Sequence, residues 1–165
     1  MADRALSEKL QPSLLDRLTD DAPRERIETR DERVIDIRRL REIIQRDLAW
    51  LLNTGNLESE HDFKQFRQAG ASTINYGLPD VTGKVANTQR AVEIRKAIRK
   101  AIEVFEPRIL PGTLSVDVHQ EKVGQGATIS FDIHGELWAE PVPLELYLRT
   151  ALDVTTGEVS VTRQG

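Results

Sequence analysis

Residues 88–108 read TQRAVEIRKAIRKAIEVFEPR, from Thr88 to Arg108. Ala91, Ile94, Ile98, Ala101, Ile102 and Phe105 recur at spacings of three, four and seven, which lines them along one stripe of a helix with 3.6 residues per turn. That stripe has to face a core. Arg95, Lys96, Arg99 and Lys100 fall on the other side, and Thr88 is placed to cap the start. Pro107 lacks an amide hydrogen and its ring crowds the preceding turn, so the helix is expected to end at Phe105 or Glu106. Glu106 and Arg108 then flank a stiff corner.

Past Arg108 the period changes from helical to two. Leu114, Val116 and Val118 alternate with Ser115, Asp117 and His119, and Ile129, Phe131 and Ile133 alternate with Ser130, Asp132 and His134. Gly124 and Gly126 fit a hairpin connection between these two strands. A third strand is expected over 142–152, with Leu144, Leu146 and Leu148 inward. Pro141 and Pro143 assign its start to an edge or a bulge. After a turn at 153–157, Val159 and Val161 form a short last strand. Upstream of residue 88, a helix over 34–52 carries Ile37, Leu40, Ile44, Leu48 and Leu51 on one stripe, widened by Ile43 and Trp50. Gly55 is suited to a left-handed cap after it. Residues 58–68 read as a turn or loop pinned by Phe63 and Phe66, and 72–83 as an ordered loop burying Ile74, Tyr76, Leu78 and Val81. Helices first and strands afterwards predict an α+β fold, with N-terminal helices packed on one face of a mostly antiparallel sheet of about four strands.

The first 32 residues are expected to be an arm and residues 33–165 the domain proper. The arm holds one apolar cluster, Leu14, Leu15 and Leu18, behind Pro12 and Ser13. A helix this short is marginal alone, so it docks either on its own domain or on a partner. The charge run 24–33 reads as solvated.

At 165 residues the chain can bury a self-sufficient core. The absence of cysteine removes disulfides, thiolate catalysis and cysteine-ligated metals, and fits a reducing compartment. No apolar run follows Met1, so neither a signal peptide nor a spanning helix is expected. Net charge is −4, unevenly spread: residues 84–108 hold seven basic and three acidic groups, residues 109–165 three basic and eight acidic. Such polarity steers protein partners more readily than it binds nucleic acid.

Chemistry is thinly represented. His119 and His134 fall on the polar side of their strands and read as solvated, without the closed ligand set zinc demands. Gly83-Lys84 is not a phosphate loop, since Leu78 stands where that motif needs glycine and Val85 replaces its hydroxyl. No serine sits in a nucleophile elbow, and the many acids form no recognisable general-acid pair. Glu106-Pro107-Arg108 admits two readings: a helix stop with solvated or internally paired charges, or a rigid corner presenting a carboxylate and a guanidinium to a partner.

Three motifs in order, Asp47-Leu48-Ala49-Trp50-Leu51-Leu52-Asn53-Thr54, Ile74-Asn75-Tyr76-Gly77-Leu78-Pro79-Asp80 and Phe105-Glu106-Pro107-Arg108, resemble the TssE family. These are type VI secretion baseplate subunits similar to phage tail baseplate wedge proteins, some labelled lysozyme-like. The opening Pro12 to Leu18 resembles the start of those proteins, so the similarity runs over about residues 12–162. The resemblance implies a cytoplasmic, non-enzymatic structural component at the baseplate near the inner membrane, with no cofactor, metal or small-molecule substrate. It implies that Glu106, Pro107 and Arg108 bind the wedge core, and that a sheet edge nucleates the contractile sheath. The implied partners are the wedge proteins TssF, TssG and TssK and the sheath proteins TssB and TssC, without nucleic acid or direct membrane insertion. The strand over 142–152 and the last strand from Val159 to Thr162 are the edges the sequence offers for strand addition. Two other readings stand beside this one: a peptidoglycan hydrolase, after the lysozyme-like label, and an anti-adaptor-type regulatory binding module sharing the fold.

Overall fold

The computed structural model describes residues 13–19, 23–24, 37–81, 88–119, 128–138 and 143–163. Among the described residues four α-helices and a 3-10 turn (Thr73–Asn75) precede four strands: α1 (Leu14–Leu18), α2 (Ile37–Leu52), α3 (Arg67–Gly70), α4 (Thr88–Phe105), then β1 (Ser115–Val118), β2 (Thr128–Leu137), β3 (Leu144–Asp153) and β4 (Val159–Arg163). The strands form one antiparallel meander in the order β1-β2-β3-β4. The expected α+β architecture is the one observed. The expectations on Pro12, the charge run 25–33, Val34, Gly83-Lys84, Gly124, Gly126, Pro141 and Val142 lie outside the described residues.

Period two and period 3.6 meet in a single core. Val116, Ile129, Phe131, Ile133, Leu137, Leu146, Leu148, Leu152 and Val159 point from the sheet toward the helices. Leu40, Ile44, Leu48 and Leu51 of α2, with Ala91, Ile94, Ile98 and Ile102 of α4, close over them. α2 lies toward the β4 side and α4 toward β1. Phe131, Ile98 and Ile102 are fully enclosed, and truncating such side chains typically costs about 2–5 kcal/mol. α4 ends at Phe105, as the position of Pro107 requires, and Thr88 is its first residue instead of its cap.

Several sequence expectations are corrected. β3 pairs with β2 on one side and β4 on the other, so it is an interior strand, and Pro143 lies before the ladder begins at Leu144. Ile37 is expected on the buried stripe of α2 and Ile43 and Trp50 beside it; Ile43 is buried, but Ile37, at the first position of the helix, and Trp50 are about half exposed. Ile74 is likewise exposed. The left-handed conformation assigned to Gly55 falls on Gly77 (φ 115°), while Gly55 forms a parallel bridge to Leu78. Leu14, Leu15 and Leu18 of α1 remain exposed. What ties α1 to the domain is polar, an ion pair from Asp16 to Arg46 (2.9 Å).

Candidate docking site

The corner after α4 is fastened on both sides. Glu106 donates its backbone N–H to Ile102 (2.9 Å), and Ile109 closes a turn onto the Glu106 carbonyl (3.2 Å). Immediately beyond, Trp138 N–H donates to the Arg108 carbonyl and Leu110 N–H to that of Glu136, both at 2.8 Å, around an Ile109–Leu137 bridge. The residues after Pro107 therefore extend the β1 side of the sheet, and the corner cannot swing independently of β2.

Glu106 is buried at 5% exposure, whereas Pro107 is exposed and the Arg108 side chain keeps 29% of its surface. Arg108 folds back over the proline. Its Nε donates to Glu106 Oε1 (2.6 Å), its Nη2 donates to Oε2 of the same carboxylate, and its backbone N–H reaches Oε1 (3.2 Å). Two charges held apart for a partner are thus not what the corner contains: Glu106 is spent on fixing Arg108 in a bidentate pair. Arg108 Nη2 also donates to Asp47 Oδ2 (2.7 Å) from 61 residues away. Burial alone would lower the Arg108 pKa, but the bonds from Glu106 and Asp47 outweigh it and hold the group raised, permanently cationic.

Asp47 links two arginines. Its Oδ1 accepts from Arg46 Nε (2.9 Å) and Nη2 (2.7 Å); the Arg46 guanidinium lies 4.8 Å over the Trp50 ring and reaches Asp16 of α1. Acids and bases alternate along the row Glu106, Arg108, Asp47, Arg46, Asp16. The row borders an open cleft of about 480 Å³ lined by Ser13, Leu15, Asp47, Trp50, Leu51, Tyr76, Phe105, Glu106, Pro107 and Arg108. Tyr76 meets Phe105 edge-on at 5.2 Å. Its hydroxyl pKa is raised by burial and then by the negative charges of Asp47 and Glu106, which keeps it protonated.

Each of the three motifs contributes to this cleft, and the middle one is held there by backbone. Leu78 N–H donates to the Thr54 carbonyl and Asn56 N–H to the Leu78 carbonyl, both at 2.8 Å. A Cβ on Gly77 would stand 2.1 Å from the Thr54 carbonyl oxygen, so no other residue fits. Asn75, 2% exposed, ties the loop from within by accepting from Leu57 N–H (3.1 Å) and donating to the Gly70 carbonyl (2.9 Å). Asp47, Arg46, Asp16 and Tyr76 were not singled out from sequence as site residues. Asp47 and Tyr76 stood inside quoted motifs, but nothing local marks them as partners of Arg108.

The polar face of the sheet carries a second network. His119 Nδ1 and Arg149 Nε both meet Asp132 (2.7 and 2.8 Å), and His134 stacks on Tyr147 at 4.1 Å. The sequence placed both histidines on this face with Asp117 and Asp132 nearby; His119 reaches Asp132, while His134 takes an aromatic neighbour instead. No group of three or more His, Asp or Glu side chains able to hold a metal occurs among the described residues, and none of their helices is long and apolar enough to cross a membrane.

Comparison with curated proteins and with solved structures returns no match. A family model does match, over residues 38–142, which holds all three motifs and the first half of the sheet. Since that span is well over half of the sequence, the chain belongs to the family of the baseplate wedge protein gp25.

Proposed function

We propose that the chain is the TssE-type subunit of a type VI secretion baseplate, a non-catalytic structural part working in the cytoplasm beside the inner membrane. Membership of a structural baseplate family supports a wedge role. The finer assignment rests on one observation: three motifs far apart in sequence converge on the cleft where Glu106 and Asp47 fix Arg108. In this reading Glu106 does not touch the partner. It holds the guanidinium, and the exposed edge of Arg108, the Pro107 ring, Trp50 and Tyr76 form the surface that the wedge proteins TssF and TssG grip, with TssK in the same assembly. A preorganised cation ringed by aromatic and apolar groups is the usual make-up of an interface anchor. A sheet edge then receives the first strands of the sheath proteins TssB and TssC.

Co-purification of the wedge proteins tests the first part. Arg108→Ala is expected to lose them, but it also strands the buried Glu106 carboxylate, so Glu106→Gln combined with Arg108→Ala is the informative variant. If that double variant is folded and still recovers the wedge proteins at wild-type level, Arg108 has no docking role.

A further inference from the structure

A sheet that grows by strand addition needs an open edge, and the two outer strands differ in whether they have one. At β4, the Asp153 N–H donates to the Glu158 carbonyl (2.9 Å), so by the alternation of an antiparallel ladder Ser160 and Thr162 turn their main-chain groups to β3 and Val159 and Val161 turn theirs outward. Three of those four outward groups are occupied. Asn53 Oδ1 accepts from Val159 N–H and Asn53 Nδ2 donates to the Val159 carbonyl, both at 2.8 Å; Gln45 Nε2 donates to the Val161 carbonyl, also at 2.8 Å. A carboxamide is chemically a peptide group, and Asn53 makes the pair of bonds a neighbouring strand would make. Its second amide hydrogen goes to the Ala49 carbonyl (2.8 Å), which locks the side chain to the last turn of α2.

At β1 the His119 N–H donates to the Ser130 carbonyl (2.8 Å), so the same alternation turns the main-chain groups of Val116 and Val118 outward. Among the described residues no hydrogen bond meets them. We propose that Asn53 and Gln45 close the β4 edge as a surrogate strand, and that an incoming strand adds at β1 through Val116 and Val118. This rests on the strand-addition reading above and specifies its site. The occupant is an extended segment of another protein with alternating character. Val116 is buried and Val118 half-buried beside α4, so the added strand places apolar side chains on that face; its other face meets Ser115 and Asp117, which favours a polar or basic residue there.

Proline separates the edges because it removes one outward N–H and is tolerated on an outer strand. In the full chain, scored by sheath assembly with wedge co-purification as the control for folding, Val118→Pro is expected to cut sheath number at least tenfold and Val161→Pro to leave it unchanged. Loss with Val161→Pro alone, or with both, overturns the choice of β1 while leaving strand addition standing; loss with neither overturns strand addition and this inference with it. Amide exchange on the purified protein tests the seal directly. Val159 N–H should be protected in the wild type and exchange at least tenfold faster in Asn53→Ala, and unchanged protection would overturn the surrogate-strand role.

Discussion

Arg108 ties the corner after α4 to both Glu106 and Asp47, and in the proposed reading the same side chain meets the partner. Its bidentate bond to Glu106 neutralises a carboxylate that is otherwise shut away from water, and removing one partner of such a pair commonly costs about 3–5 kcal/mol because the remaining charge is stranded. Arg108→Ala is therefore expected to lower the urea midpoint markedly, and adding Glu106→Gln should recover part of the loss; equal midpoints for the single and double variants would show that the carboxylate is not stranded. Gly77 is constrained by backbone instead of charge. With φ at 115° and the Thr54 carbonyl at 2.1 Å from a would-be Cβ, Gly77→Ala must break the Leu78–Thr54 clamp and should destabilise by at least about 2 kcal/mol in chemical unfolding. A neutral result would mean that the loop bends elsewhere.

At the scale of elements, the two long helices and α1 are held by different forces. Ile98 of α4 is wholly enclosed, so Ile98→Ala is expected to cost about 2–5 kcal/mol. Leu14 and Leu18 of α1 are 73% and 74% exposed, and alanine at either should change stability by less than about 0.5 kcal/mol. Thermal and urea unfolding of the three variants compare these directly. Large losses at Leu14 or Leu18 would place them in a core after all. α1 is instead moored through Asp16, and Leu15 forms part of the wall of the cleft. The sequence marked the apolar cluster as one in need of something to dock on; it carried no sign that the mooring to the domain would be ionic, because Arg46 lies 30 residues downstream.

Across the whole molecule, the two ionic networks make stability depend on acid. Burial raises the Asp16 and Asp132 carboxyls, but Ser13 and Arg46 at the first, and Arg149 and His119 at the second, outweigh it and leave both below the ordinary carboxylate value of 3.8. The unfolded chain then binds protons more readily than the folded one. The stabilisation is complete above pH 3.8 and disappears as pH falls through the lowered folded values. Urea midpoints measured downward from pH 5 should fall, and Asp16→Asn with Asp132→Asn should flatten that slope; an unchanged slope would place the acid sensitivity elsewhere.

Periodicity is a property of neighbouring residues, so the helical stripe of α4, its end before Pro107 and the alternation of β1 to β4 could be read directly from the order of amino acids, and with them the α+β class. The motif resemblance to baseplate proteins was legible for the same reason, each motif being a continuous run. Strand order and burial are sums over contacts between residues distant in the chain. Only the folded molecule could place β3 in the interior, bring Asp47 to Arg108, bury Glu106, expose Trp50 and lay Asn53 along β4. The sequence marked Glu106, Pro107 and Arg108 as one corner, but whether its two charges stand apart or bind each other depends on which side chain water can reach, and that is settled by tertiary packing.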